Sequence, residues 1–331
     1  MAQQCFKPYD LLCTGTALLD CIIRGFDPEP VNATGYRAQS TSLNVGGEAV
    51  NASAGAAALG LKTAILAFAD TFPAGDMIAA TLRAANVSTE HLIRTAEHQT
   101  PVSTLFVRED GSRRTITTGA HSFNFRPDLY PEALRSARAV SLGSLFRAPY
   151  NDPDVLRRTV EALDNDTLLF ADTKLPNFRK LSLDDIKDSL SRVDYIFPNE
   201  DEARYYSGQN DPDAMADAFL AHGVRHVIVK LGGSGCLFKS ATERIRLCAH
   251  SVKVVDTTGA GDNFLAGFIL SLLEGRDHET ALRFANACGA VASTAVGACG
   301  VLKSRAQAEE LLLTQPAECV KGTGSLTHYA L

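Results

Sequence analysis

Short runs of consecutive apolar residues recur along the chain, separated by longer stretches in which apolar residues return every three or four positions. The runs at 11–13, 64–68, 139–142, 168–171, 195–197 and 227–229 are too short for helices and read as strands. The stretches 155–163, 185–190 and 214–221 have helical spacing. Several of the strands are apolar on both faces, as in a parallel sheet covered by helices on each side. The alternation predicts an α/β fold with a doubly wound, mostly parallel sheet and helices on both faces.

Two stretches break the alternation, 18–43 and 102–118, which hold strand patterns without helices between them. The second has the form of a hairpin: Thr104-Leu105-Phe106-Val107, turn residues Glu109-Asp110-Gly111-Ser112, then a return run at 114–118. Inserted into an α/β domain, these strands would form a small separate β-sheet, a lid. From Gly261 onward the pattern is mainly helical. Neither an internal repeat nor a low-complexity linker is visible, so one domain spanning 1–331 with an inserted lid is expected.

Composition narrows the partners. Of 331 residues, 45% are hydrophobic and 21% charged, enough apolar material for a large core. The net charge of −6 offers no basic surplus to neutralise a nucleic-acid backbone, so that partner is not expected. Eight cysteines are scattered without a C-x-x-C pair, and Cys13, Cys236 and Cys288 lie in apolar runs, which suits small hydrophobes in a reduced, cytoplasmic protein. Asp10 and Asp20 interrupt any signal-like N-terminus. The apolar run 52–69 is broken by Lys62, and Leu59-Gly60 reads as a helix end before a short strand, so no membrane span is expected. The eight histidines show no metal-binding spacing.

The segment with most chemical content is Asp256-Thr257-Thr258-Gly259-Ala260-Gly261-Asp262, followed by apolar residues at helical spacing (Phe264, Leu265, Phe268, Ile269, Leu272). Glycines let the backbone turn tightly, and a helix N-terminus adds unpaired N–H groups and partial positive charge, which together make an anion site. Asp262 there is a carboxylate able to take a proton from a hydroxyl, and an anion cradle beside a base is what phosphoryl transfer to an alcohol requires. A glycine turn with Asp262 as a helix cap satisfies the same pattern.

Upstream, Asn44-Val45-Gly46-Gly47-Glu48-Ala49-Val50-Asn51 opens a helix of small residues at 52–59. Gly46-Gly47 would bring backbone close to a ligand, with Glu48 and Asn51 on one helix face, or form a tight turn before close helix packing. Asp20 is a hydroxyl-binding carboxylate or a turn acid. Asn199 with Glu202 three residues on has capping-box spacing, and the surrounding acids could equally hold Mg²⁺ through waters. Lys230-Leu231-Gly232-Gly233-Ser234-Gly235 closes a strand against a nucleotide or as a turn between strands.

Taken in order, Gly46-Gly47 with Asn51, Asn199-x-x-Glu202, Lys230-Leu231-Gly232-Gly233-x-Gly235 and the segment ending in Asp262 resemble the motif series of the ribokinase-like (PfkB) carbohydrate kinases, over roughly residues 11–300. The resemblance implies an ATP-dependent kinase in which Asp262 deprotonates the acceptor hydroxyl and the amides of Gly259, Ala260 and Gly261 stabilise the transferring phosphoryl. It assigns the sugar to Asp20, Gly46, Gly47 and Asn51. Asn199 and Glu202 would organise Mg²⁺ and ATP, while Lys230, Gly232, Gly235 and Asn286 line the nucleotide pocket. Asp256 and Thr258 would contribute to a monovalent-cation (K⁺) site, with Ala292, Ala295 and Gly297 as backbone ligands. The inserted strands would close over the sugar and offer a homodimer contact.

Some positions depart from the commonest family pattern. Asn263 stands where a small residue is frequent and is expected to matter little, lying beyond the base. Lys230 replaces the Thr of ribokinase itself. The stretch Leu142-Gly143-Ser144-Leu145-Phe146 is more like fructokinase-type members. Lys174 and Arg179 follow the next strand and are either attractors for a carboxylate or phosphate on the substrate or solvated surface cations. Ribose, fructose and 2-keto-3-deoxygluconate stay open as acceptors, fructose-like hexoses ahead. A nucleoside kinase of the same fold would need an apolar wall, for which Phe106, Phe123 and Phe125 are candidates unless, as apolar residues usually do, they pack in the core. A binding protein that has lost catalysis is the rival from another class, against which the intact Gly259-Ala260-Gly261-Asp262 argues. P-loop, G-x-G-x-x-G and protein-kinase signatures are absent.

Overall fold

A computed structural model describes residues 7–25, 37–108, 112–118, 125–177, 179–297, 299–315 and 319–322. Its main sheet has, in spatial order, β5 (Leu92–Thr95), β4 (Thr63–Asp70), β1 (Tyr9–Thr14), β8 (Ala137–Leu145), β9 (Leu168–Thr173), β10 (Tyr195–Phe197), β11 (His226–Lys230), β12 (Cys236–Ser240), β13 (Arg244–Leu247) and β14 (Cys319–Gly322). From β5 to β11 every neighbouring pair is parallel; from β11 to β14 every pair is antiparallel.

Alternate residues of the central strands feed two separate cores. Leu11, Cys13, Ile65 and Phe170 pack with α1 (Glu48–Ala58), α2 (Pro73–Ala84), α8 (Ala260–Leu273), α9 (His278–Ala292) and α10 (Arg305–Thr314). Leu12, Ala64, Leu66 and Leu169 face α3 (Pro131–Arg135), α4 (Pro153–Glu161), α5 (Lys187–Leu190), α6 (Glu200–Ser207) and α7 (Pro212–Ala221). The doubly apolar strands of the sequence are therefore those buried on both faces, each buried Leu, Ile or Phe contributing about 1.5–3 kcal/mol. Cys13, Cys236 and Cys288 are buried, as their apolar surroundings predict.

The two helix-free stretches form a second sheet of four strands, ordered β3 (Ser40–Gly46), β2 (Leu18–Arg24), β6 (Val102–Val107), β7 (Arg113–Thr117). Strands β6 and β7 pair antiparallel with Val107 opposite Arg113, the expected hairpin; its turn residues 109–111 and Phe123 lie outside the described residues. The structure departs from the sequence pattern in short or mixed segments. Strands β5, β12 and β13 and helix α2 carry too little periodicity to stand out. The chain after Gly261 is helical only as far as α10, because β14 returns to the sheet beside β13. The 185–190 helix is a 3₁₀ turn (Asp184–Ile186) followed by α5. No helix among the described residues is long and apolar enough to cross a membrane.

Candidate active site

The carboxyl ends of three adjacent parallel strands deliver most of the polar residues, where ligands of open α/β sheets bind. Strand β9 ends in Asp172 and Thr173 with Lys174 following, β10 leads to Asn199, and β11 ends in Lys230. A bridge between Asn199 and Lys230 and the bond from the Lys230 amide to the Pro198 carbonyl extend the sheet to this point. Lys230 Nζ lies 2.5 Å from Asp172 Oδ1.

Asn199 and Glu202 form the capping box that their spacing predicts. The Asn199 side chain accepts from the Glu202 amide, and Glu202 Oε2 accepts from the Asn199 amide at 2.9 Å and from Thr173 Oγ1 at 2.7 Å. Glu202 is buried, which raises its pKa; Lys230 pulls it down and Asp172 pushes it up. Among the described residues, no group of three or more His, Cys, Asp or Glu is gathered to hold a metal ion.

Helices α1 and α8 face these strand ends. Helix α8 starts after Gly259, whose φ of 78° is the left-handed conformation glycine tolerates. Asp262 follows in the first turn, and Asn51 of α1 donates to its Oδ2 at 2.9 Å. Burial pushes the Asp262 carboxyl up to about 7; Asp172 and Glu48 add to the rise, and Lys174 and the Asn51 amide oppose it. The Ala260 amide donates within the turn to Thr257 O at 3.2 Å. A Cβ on Gly261 would stand 3.1 Å from Lys230 Nζ, so that ammonium abuts the glycine turn.

Two cavities meet here. The polar one is bounded by Asp20 of β2, Gly47, Glu48, Asn51, Lys174 and Asp262. Gly47, on its wall, is required by space: with φ of 101°, a Cβ there would fall 2.3 Å from the Thr16 carbonyl, while one on Gly46, outside the lining, would stand 2.7 Å from Asp20 Oδ2 and push that side chain aside. The second cavity is mainly apolar, lined by Gly232, Gly235, Asn286, Val252, Val254 and Phe264. Asn286 Nδ2 donates to Cys248 O, fixing the 249–254 wall, which carries no motif and is not legible in the sequence. Lys230 and Gly261 border both cavities.

Asp256 also borders the polar cavity. Its carboxylate accepts from the Thr258 amide and hydroxyl and from the Gly297 amide at 3.2 Å, bonds that hold its pKa low against burial. Ala292 closes α9, and Ala295 lies in the turn before Gly297.

The fold decides between open alternatives at two places and changes one expectation. Arg179 pairs with Asp152 at 3.6 Å and is absent from the residues bounding either cavity, whereas Lys174 is in the polar one. Phe125 packs against the core, and Phe106 sits in the four-stranded sheet; neither is among the residues bounding these two cavities. Asn263 is not inert: its Nδ2 donates to Gly259 O at 2.8 Å, and its Oδ1 occupies the space beside Gly55, where a Cβ would stand 2.6 Å away. The side chain thus braces the turn, with room made by a glycine on α1. Gly55→Ala is expected to destabilise by about 1–3 kcal/mol, the range for overpacking. Adding Asn263→Ala should restore much of the melting temperature while kcat stays below that of the parent, the brace on Gly259 being gone. Simple additivity of the two substitutions in thermal unfolding would refute this coupling.

A family model described as "pfkB family carbohydrate kinase" matches residues 9–305. An uncharacterized sugar kinase of Archaeoglobus fulgidus is 29% identical over 70% of this chain and 91% of its own. A probable fructokinase-5 of Arabidopsis thaliana is 27% identical over 81% of this chain and 87% of its own. Among solved structures, Arabidopsis thaliana ribokinase complexed with ribose and ATP superposes with a TM-score of 0.79 at 24% identity, covering 92% of this chain and 98% of that one.

Proposed function

The chain belongs to the pfkB family of carbohydrate kinases, a sugar kinase by family and fold, and from that premise we propose how its own residues divide the work. The acceptor sugar occupies the polar cavity, against Asp20, Gly47 and Asn51, with Gly46 outside the lining and leaving room for Asp20. ATP occupies the apolar cavity, against Gly232, Gly235 and Asn286, with its phosphates toward Lys230 and Asn199. The observation that carries this reading is that the two cavities meet at Lys230 and Gly261, one residue from a buried carboxylate held by Asn51. The acceptor oxygen attacks the γ-phosphorus, the bond from that phosphorus to the bridging oxygen of ADP breaks, and the hydroxyl proton passes to Asp262.

The remaining residues have supporting roles. Among the described residues, buried Asn51 Oδ1 meets no hydrogen-bond partner, an acceptor that a sugar hydroxyl would satisfy. The turn at Gly259, Ala260 and Gly261 cradles the moving phosphoryl, with Ala260 the weaker contributor because its amide is engaged by Thr257. Mg²⁺, bound with the nucleotide, neutralises phosphate charge. Glu202 would face it through water, which suits an ion that keeps much of its hydration shell and a site where the described residues gather no protein cage. Asp256 and Thr258, tied to Gly297, would hold a monovalent cation such as K⁺. The four-stranded sheet, which carries Asp20, would act as a lid inserted in a single kinase domain.

The test is ADP release with Mg-ATP across neutral sugars, sugar acids and nucleosides. Turnover with a sugar is expected, and kcat/KM should rise as pH climbs through about 7, because the raised Asp262 carboxyl must lose its proton before it can accept one. A nucleoside as the preferred acceptor would overturn the sugar, and silence with ATP binding intact would overturn the kinase.

A further inference from the structure

Glu48 and Lys174 are the polar residues of the acceptor cavity whose role is still open, and both are built into position. Glu48 is the first residue of α1, directly after the positive-φ Gly47. Its stem lies against Gly143, where a Cβ would stand 3.2 Å from the Glu48 Cβ, at the irregularity between Leu142 and Leu145 in β8. Lys174 is held at both ends of its peptide: its amide donates to Leu145 O at 3.0 Å, and its carbonyl accepts from Tyr206 Oη at 2.6 Å. Tyr206 in turn stacks on Phe146 at 3.8 Å.

Between these side chains lies a gap. Lys174 Nζ and Glu48 Oε1 are 3.7 Å apart, close enough for attraction and too far for a direct hydrogen bond. Both side chains keep some access, 33% for Lys174 and 19% for Glu48. An ammonium only donates hydrogen bonds and a carboxylate only accepts them. One hydroxyl can sit between them, accepting from Lys174 and donating to Glu48, each at ordinary hydrogen-bond length.

We infer that the Glu48–Lys174 pair reads a neutral hydroxyl of the acceptor and rejects acceptors bearing a carboxylate or phosphate there. The inference rests on the sugar-kinase reading and narrows its substrate class. An anionic substituent would find Lys174 already neutralised, with Glu48 in contact range to repel it. The surrounding charge points the same way. Asp20, Asp172, Asp262 and Glu202 also line this cavity, and among its lining residues the cations are Lys174 and Lys230, the latter held by Asp172.

The experiment compares kcat/KM for neutral pentoses and hexoses with their matched sugar acids and phosphate esters, in the parent, Glu48→Gln and Lys174→Met. In the parent, the neutral member of the preferred pair should lead by about 100-fold or more. Glu48→Gln should narrow that lead at least tenfold by improving the anionic member, because Lys174 is then unpaired. Lys174→Met should cost the neutral sugar about 10- to 100-fold in kcat/KM, mostly through KM, with ATP affinity by calorimetry unchanged. Turnover that favours an anionic sugar in the parent, or a ratio unmoved by Glu48→Gln, overturns the hydroxyl-reading pair and leaves the kinase standing. Silence from every acceptor takes down both.

Discussion

Asp262→Asn is expected to lower kcat about 10²–10⁴-fold, the usual weight of a positioned general base, with KM for ATP and acceptor changed only a few-fold. The substitution conserves shape, and the Asn51 amide can still donate to the new side-chain oxygen, so binding geometry should persist. Folding gives an independent check. The Asp262 carboxyl rises in the fold from an ordinary 3.8 to about 7, so the folded chain holds that proton more tightly than the unfolded chain. Stability from this group is therefore present below about pH 4 and is lost as pH climbs toward about 7, where the ionised carboxylate stays buried at a cost. The Asn variant should melt no lower than the parent at pH 8 and show a smaller loss of melting temperature between pH 5 and 8. A variant retaining more than a tenth of parental kcat would refute Asp262 as the base, and one that melts below the parent at pH 8 would refute the raised carboxyl.

The positions legible from sequence are those where local backbone chemistry dictates the residue. A φ of 101° at Gly47 and 78° at Gly259 demands glycine, and the box of Asn199 and Glu202 is a contact three residues long. The parallel core was legible because strands buried on both faces must be apolar throughout. What could not be read is pairing across the chain. Asn51 meets Asp262 across 211 residues and Lys230 meets Asp172 across 58, and neither carries a local signature. Lys174 and Arg179 looked alike in sequence, and only the fold separates the cation in the cavity from the one paired with Asp152 outside it. Asn263 looked inert because its partner, the vacancy at Gly55, lies on another helix. Strands β12 to β14 escaped notice because they are short, antiparallel and partly polar.

Lys230→Met is expected to lower kcat about 10²–10³-fold, comparable with removing one donor from a site that stabilises transition-state charge. Its ammonium lies where the two cavities meet and against Gly261, so under the proposed function it would face the oxygens of the phosphoryl in transfer. Asp172 fixes it there at 2.5 Å, which restrains a flexible four-carbon stem before substrates arrive. Loss of the cation also leaves Asp172 and Glu202 with Lys174 as the remaining cation of the cavity lining, so KM for Mg-ATP should rise, while KM for the acceptor should move less than about threefold. Lys230→Arg keeps the charge on a longer, forked head and should recover part of kcat. Asp172→Asn keeps the ammonium but loosens it, and should fall between parent and Lys230→Met. Steady-state kinetics on the three variants, with melting temperatures as a check on folding, decide the role. A raised KM for ATP with kcat untouched in Lys230→Met would make Lys230 a nucleotide contact alone, whereas a fall in kcat that Arg partly reverses requires a positive charge on the transferring group.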